Sequence, residues 1–491
     1  MASSLELFEV IKSLTSNEKR HFQLSTSLQN GKKNYVLLFE EMDAQEEYNK
    51  AQILEKLAEY KFVKSLHVTE NYLYKRIMES LRAFHADKYV TTKLYKLLTD
   101  AEILNRKGFY KLSMEVLNRA EKLALKHHKS LILAEIAPRK IELIVADREK
   151  HLTEQLEELY EQSQGVCHQL QEESTYVYWH HWLVLVFRKW RDPKDPVVLQ
   201  KMEAIFQSVT QSAFPEQGTF QTQCYYYTIQ TLYYQLTKQY EVGNVIHAKI
   251  LALWEDHPNM IKEQLSVYMA RLANYINSSL TCQKGALVYV LIEKMEGLKV
   301  TTFDEAGEQF QNVYFYKQLH YLNAQQLEEA EALIPAIKDG LEKYASKINP
   351  ARRLAFYYNS TITYFLLEDY QAAADWLNKI LTITKTHEPR KDIQRFARIL
   401  QMAIYYKLSS YEVLEYLFRS VYRNKKLKEA MHTFEKVTLD YFKQLLKTPA
   451  NSNAEKALFR SFQEELEQLT EAEQQVTGFE EFFIWVTRMC R

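Results

Sequence analysis

Ten glycines and nine prolines in 491 residues constrain this chain more than any other feature. Average usage is about 7% and about 5%, several times higher. Sheets and long loops draw on glycine and proline for their turns, whereas helix interiors exclude both. So sparse a supply predicts long helices joined by short turns. Apolar residues make up 46% of the chain, enough for a packed core. The length fits either several ordinary domains or one long repeat array.

Several function classes are disfavoured early. Lysine plus arginine equals aspartate plus glutamate, 63 each, so no global field steers the chain to nucleic acid or an anionic membrane. The opening Met1-Ala-Ser-Ser-Leu-Glu has neither the basic start nor the apolar run of a signal peptide. The longest apolar candidate for a membrane helix, Trp182 to Phe187, is bounded by His181 and Arg188. A cytoplasmic location is expected. Cys167, Cys224, Cys282 and Cys490 lack metal or redox spacing and are expected to be buried free thiols.

An internal pattern recurs. In Gly108 to Ala120, an aromatic residue, Tyr110, is followed by Ser113, Leu117 and Ala120 at +3, +7 and +10. Tyr370 is followed in the same way by Ala373, Leu377 and Ile380. Leu327 leads to Ala330, Ile334 and Ile337, and Tyr411 to Leu414, Phe418 and Val421. The large residue is expected to close a turn between antiparallel helices. The small one lets them approach, and the last two extend one buried stripe. Anchors fall at Tyr110, Leu152, Val197, Tyr240, Cys282, Leu327, Tyr370 and Tyr411, spaced 41 to 45 residues apart. Ala454 would begin one last hairpin helix.

These residues resemble the tetratricopeptide repeat, chiefly in the second helix of each unit. The chain is also similar to uncharacterised bacterial helical-repeat proteins of the same type. The period is longer than the family's unit of about 34 residues, which suggests an extended relative. The resemblance implies a superhelix of helical hairpins, and it implies that the first helix of each hairpin lines a peptide-binding groove. Counting back from each anchor puts candidate groove residues at Asn105, Gln235, Asn274, Asn277, Asn323, Tyr358 and Tyr406. Tyrosine at such positions supplies flat apolar area with a hydroxyl tip. The same tyrosines at helical spacing also suit packing between helices.

Residues 1–88 lie outside the period. Leu14 to Glu18 reads as one helix ending and another being capped. Phe62 to Ile77 reads as a short apolar helix, a turn at His67, an N-cap at Thr69 and a longer helix with a basic face. That is the outline of a helix-turn-helix, in which Lys64, Lys75 and Arg76 would meet DNA. An ordinary helical hairpin satisfies the same pattern. With this segment the chain is similar to bacterial regulators that join a helix-turn-helix to a peptide-binding repeat domain.

Catalytic signatures are missing. No phosphate loop, GxGxxG, HExxH, GxSxG or CxxC occurs. Glu18/His21 and Glu429/His432 have a spacing that puts both groups on one helix face, yet they lie far apart in the sequence, so no metal or other cofactor is expected. The basic run Arg419, Arg423, Lys425, Lys426 and Lys428 falls where it would complement a helix C-terminus. The reading is therefore all-α: a helical N-terminal domain over 1–88, a hairpin superhelix over 89–470 with a period of about 42 residues, and a capping helix over 471–491. The expected function is a non-catalytic scaffold for a protein or peptide partner. The alternative is a peptide-sensing transcriptional regulator.

Overall fold

The computed structural model describes residues 3–27, 33–86, 89–146, 153–190, 193–211, 218–382, 390–423, 431–449 and 452–490. Among them there is no strand, and every regular element is a helix. The chain divides into two compact units, residues 1–182 with 207–226 and residues 183–206 with 227–491.

Two separate apolar cores lie in the first unit. One belongs to the helices Ser4–Ser13, Ser16–Ser27, Asn34–Ala44, Lys50–Lys56 and Leu66–His85, and is built on Leu7, Ile11, Phe22, Leu38, Phe39, Met42, Leu73 and Ile77. Ser3 caps the first helix, reciprocally with Glu6. At the second helix the Thr15 and Glu18 side chains cap each other's backbone amides in the same reciprocal way.

The helix-turn-helix outline is not what forms over 62–77. A short 3-10 helix, Lys61–Ser65, leads straight into Leu66–His85. His67 is the second residue of that helix rather than a turn, and Thr69 is buried inside it rather than capping it. The reason is packing: Leu66, Leu73 and Ile77 share one face with Thr69 and carry the helix onto the core. Lys64 and Lys75 are exposed, while Arg76 is half-buried and paired with Glu79 at 2.6 Å.

The second core joins Val90–Arg106, Tyr110–Lys126 and Ser130–Ala146 through Leu94, Leu98, Ala101, Leu117, Ala120, Ala124, Ile136 and Leu143. The small residue at +3 behaves as its spacing suggests. Ser113 is buried against the facing helix, and its hydroxyl donates to the Ala101 carbonyl at 2.7 Å. The anchor residue does not: Tyr110, Tyr240 and Tyr411 are exposed. Each opens its helix just beyond the end of the preceding one, which leaves the ring partly exposed, with Tyr411 edge-on to Tyr406.

The turns carry a shared backbone device. Gly108, Lys238, Gln283, Gln325, Glu368 and Ser409 all adopt positive φ, between 50° and 85°, two residues before the next helix begins. The following amide reaches back five residues: Phe109 to the Leu104 carbonyl, Gln239 to Tyr234, Lys284 to Ser279, Gln326 to Tyr321 and Ser410 to Tyr405, all at 2.8–3.0 Å. This closes the free carbonyls at the helix end. It also corrects one anchor. The helix opens at Gly285, not Cys282, which ends the preceding helix. Val288, Ile292 and Met295 then fill the buried +3, +7 and +10 positions.

Another departure lies between the anchors Leu152 and Val197. Leu152 is outside the described residues, and instead of two helices one runs unbroken over Thr153–Lys189. Val197 is the second residue of Pro196–Gln211, and Ala454 the second of Asn453–Glu467. Lys425, Lys426, Lys428 and Glu429 lie outside the described residues. At the far end, Phe479–Met489 places Phe482, Trp485 and Val486 against Phe365, Phe396, Phe434, Phe442 and Phe459 in the largest core of the second unit.

Candidate functional site

Three helices of the second unit, Leu265–Thr281, Phe303–Asn323 and Pro350–Leu366, line an open cavity of about 560 Å3. The first presents Ala270, Ala273, Asn274 and Asn277 to it, and the second presents Glu308, Gln311, Asn312 and Phe315. Both sets follow the i, i+3, i+4, i+7 pattern of a single helix face. Here the face is polar, where in a buried helix it would be apolar. The third helix adds Ala351, Arg352 and Ala355, and Asn349 and Arg390 complete the wall.

Arg352 is the centre of its chemistry. The guanidinium lies 3.8 Å from the Phe315 ring centroid and 5.5 Å from that of Tyr316. One of its N–H groups donates to Asn312 Oδ1 at 3.4 Å. No carboxylate pairs with it among the described residues. Burial lowers its pKa, with Tyr316 opposing that shift and Arg390 adding to it. The group remains a cation, now poorly hydrated. Around it, Asn277 donates to the Tyr316 hydroxyl at 2.8 Å, and Asn312 donates to the Glu308 carbonyl at 3.0 Å. Arg390, by contrast, is engaged by Asp392 at 2.8 Å, and that carboxylate also accepts from Thr477.

Two other cavities hold residues expected from the sequence. Asn105 lines one of about 630 Å3 in the first unit, beside Glu102, Arg106, Glu135, Arg139 and Glu142. Its arginines are already paired, Arg106 with Glu102 at 2.5 Å and Arg139 with Glu135 at 3.3 Å. Asn323 lines one of about 450 Å3 with Lys284 and His320. Lys284 is held by Glu241 at 2.6 Å. Both larger cavities exceed a lone solvent site, but among the described residues the one around Arg352 offers a half-buried cation without its counterpart.

The remaining sequence-derived residues fall elsewhere. Asn274 and Asn277 come together in the Arg352 cavity. Gln235 is exposed on Phe220–Leu236 and lines none of the three cavities. Tyr358 and Tyr406 lie in the core rather than on an accessible wall. The Tyr406 hydroxyl donates to the Glu455 carboxylate. Burial drives the Tyr358 pKa well above its ordinary range, with Glu481 adding to the shift. Glu18 and His21 are occupied structurally, by His85 at 2.7 Å and Ser80 at 2.8 Å. Among the described residues no cluster of three metal-ligating side chains occurs, and no helix is long and apolar enough to cross a membrane.

Sequence reasoning missed Glu308, Gln311, Asn312 and Arg352. The i, i+3, i+4 run of polar residues from Glu308 was a usable signal. Arg352 was not visible, since its role depends on a ring some 37 residues earlier in the chain. Comparison with family models, with curated proteins and with solved structures finds no match.

Proposed function

We propose that this chain is a non-catalytic scaffold, cytoplasmic, that holds a protein or peptide partner in the cavity around Arg352. On this reading residues 89–470 are a tetratricopeptide-like array of helical hairpins with a period of about 42 residues, residues 1–88 a helical N-terminal domain, and 471–491 its capping segment. The recurrence of one turn geometry at Lys238, Gln283, Gln325, Glu368 and Ser409 supports the array. The observation that carries the function is the polar wall itself. Two helices turn amide side chains into the cavity at successive positions of one face, beside an arginine that no carboxylate pairs with among the described residues. Carboxamides both donate and accept, as peptide backbone requires.

The test uses the intact chain and an Asn274→Arg/Asn277→Arg variant, whose long side chains fill the cavity. Both are used as bait in native lysate with nuclease treatment, and bound proteins are quantified by mass spectrometry. A partner captured by the wild type and lost from the filled variant is the expected result. Identical protein sets from both baits would refute the cavity as the site. Recovery of nucleic acid alone, abolished by Lys64→Glu/Lys75→Glu, would replace this reading with the regulator.

A further inference from the structure

The charge balance of the cavity allows the ligand to be described more closely, an inference that rests on the peptide-binding reading above. Arg390 and Asp392 neutralise each other. That leaves Arg352 as one uncompensated cation and Glu308 as one carboxylate without an ion pair among the described residues. Asn312 ties the two positions together: its amide donates to the Glu308 carbonyl and its oxygen accepts from Arg352. Glu308 and Asn312 are one helical turn apart, about 6 Å along the axis, so the arginine that Asn312 holds faces the same stretch of wall as the Glu308 side chain. Among the described residues the wall therefore keeps one free charge of each sign.

We propose that the cavity selects a dipolar segment, one carrying a carboxylate for Arg352 next to an ammonium or guanidinium for Glu308. A phosphate dianion is a poor fit, because Glu308 repels its second charge and a single arginine opposes the first. An apolar peptide is worse, since it would bury both charges unpaired. Phe315 holds the guanidinium plane by stacking, so little side-chain freedom is lost when a carboxylate docks on its free edge. Asn274, exposed on the opposite wall, supplies amide hydrogen bonds to the segment between the poles. The same pair of charges is present in adjacent acidic and basic side chains of a peptide and in the two ends of a free amino acid.

A random peptide library displayed on phage and selected on the full-length protein separates the outcomes. The expected result is enrichment of sequences with an acidic and a basic residue close together. Selection on Arg352→Gln should lose the acidic preference and keep the basic one, and selection on Glu308→Gln the reverse. Binding of an enriched peptide, acetylated and amidated at its ends, should fall roughly ten- to a hundred-fold for Arg352→Gln by fluorescence anisotropy, and much less for Arg352→Lys. Unchanged circular dichroism of each variant shows that the fold persists, and Glu308→Gln, on the wall and away from the core, tests the second pole independently. Enrichment of purely acidic or uncharged sequences would overturn the dipolar proposal while leaving a peptide groove intact. Enrichment that both variants share with the wild type would do the same. No enrichment at all would overturn both. Saturable binding of free lysine or glutamate, with blocked peptides inactive, would assign the pair of charges to a chain end and overturn the side-chain source.

Discussion

Gly478 offers the sharpest test of the packing. It precedes the helix Phe479–Met489 with φ of 87°, in the left-handed region. A Cβ built there would lie 2.2, 2.3 and 2.4 Å from three carbons of the Phe396 ring. That ring cannot step aside: it is fully buried, with Tyr358, Phe434 and Phe482 all within 6.3 Å. Gly478→Ala therefore carries two costs, left-handed backbone at about 1–2 kcal/mol and overpacking at about 1–3 kcal/mol. Restricting the unfolded chain returns about 0.4–1 kcal/mol. A net loss of about 3 kcal/mol is expected. Gly108 is the control, because it has φ of 81° and nothing within 4 Å of its Cβ position. Gly108→Ala keeps the backbone cost and loses the collision, leaving about 1 kcal/mol. Urea unfolding by circular dichroism should show the difference in midpoint at unchanged slope. Hydrogen exchange should place the Gly478→Ala effect in residues 479–489. Equal destabilisation by the two substitutions would refute the close approach of Gly478 to Phe396.

Other expectations follow from the same geometry. Gln283, exposed at φ of 55°, sits where glycine is unstrained, so Gln283→Gly should stabilise by about 1 kcal/mol, the reverse of the usual glycine effect, in urea unfolding. Ser113→Ala removes the bond to the Ala101 carbonyl and should cost about 1 kcal/mol; no change would mean that this bond does not hold the hairpin. At high pH, burial and the hydrogen bond to Glu203 at 2.5 Å raise Tyr233 to about 12, from about 10 in an unfolded chain. The shift is upward, so its contribution is complete below the unfolded value and is lost as pH rises through the folded one. Tyrosinate absorbance should show a late-titrating group that titrates earlier in Glu203→Gln yet stays above the ordinary range, because burial, the larger cause, remains. Asp392 lies on the acid side: burial raises it, but hydrogen bonds and charge from Arg390 with the Thr477 hydroxyl outweigh that and leave it lowered. Its contribution is present above the ordinary carboxylate range and lost as pH falls through the folded value. Asp392→Asn should flatten that part of the stability profile.

Much of this was readable from residue spacing. Ser113, Leu117 and Ala120, and likewise Ala373, Leu377 and Ile380, are buried because the 3.6-residue repeat puts them on one face, and spacing alone reports that. The reciprocal cap at Thr15 and Glu18 is equally local. Turn positions were less legible, because the chain uses lysine, glutamine, glutamate and serine at positive φ where glycine would mark the turn. Hence the repeat spacing points to Cys282, three residues before the helix begins at Gly285. The unbroken Thr153–Lys189 was concealed for the converse reason. A helix tolerates the interior Gly165 at a cost of about 1 kcal/mol, and no local signal distinguishes such a glycine from a turn. Tyr358 and Tyr406 were misplaced since a tyrosine looks alike in sequence whether its ring meets a ligand or a neighbouring helix.

The division of labour within a hairpin explains how a polar cavity coexists with a stable fold. In the helices that open at Tyr110, Gly285, Leu327 and Tyr370 the +3, +7 and +10 residues carry the packing, as at Val288, Ile292 and Met295. In the first helices the packing falls to other faces. Met269, Leu272 and Ile276 are buried in Leu265–Thr281, while Ala270, Asn274 and Asn277 turn to the cavity. Phe303–Asn323 divides in the same way, with Phe310 and Val313 buried and Glu308 and Gln311 on the wall. Asn274, Glu308 and Gln311 on the cavity face are not buried and contribute little apolar burial, so substituting them leaves the core untouched. Arg352 is the exception. Its stack on Phe315 couples the wall to the aromatic layer beneath, through Phe356. Charge at Glu308, Gln311 and Asn274 can thus vary to retune a ligand without loss of stability, whereas a change at Arg352 alters recognition and packing together.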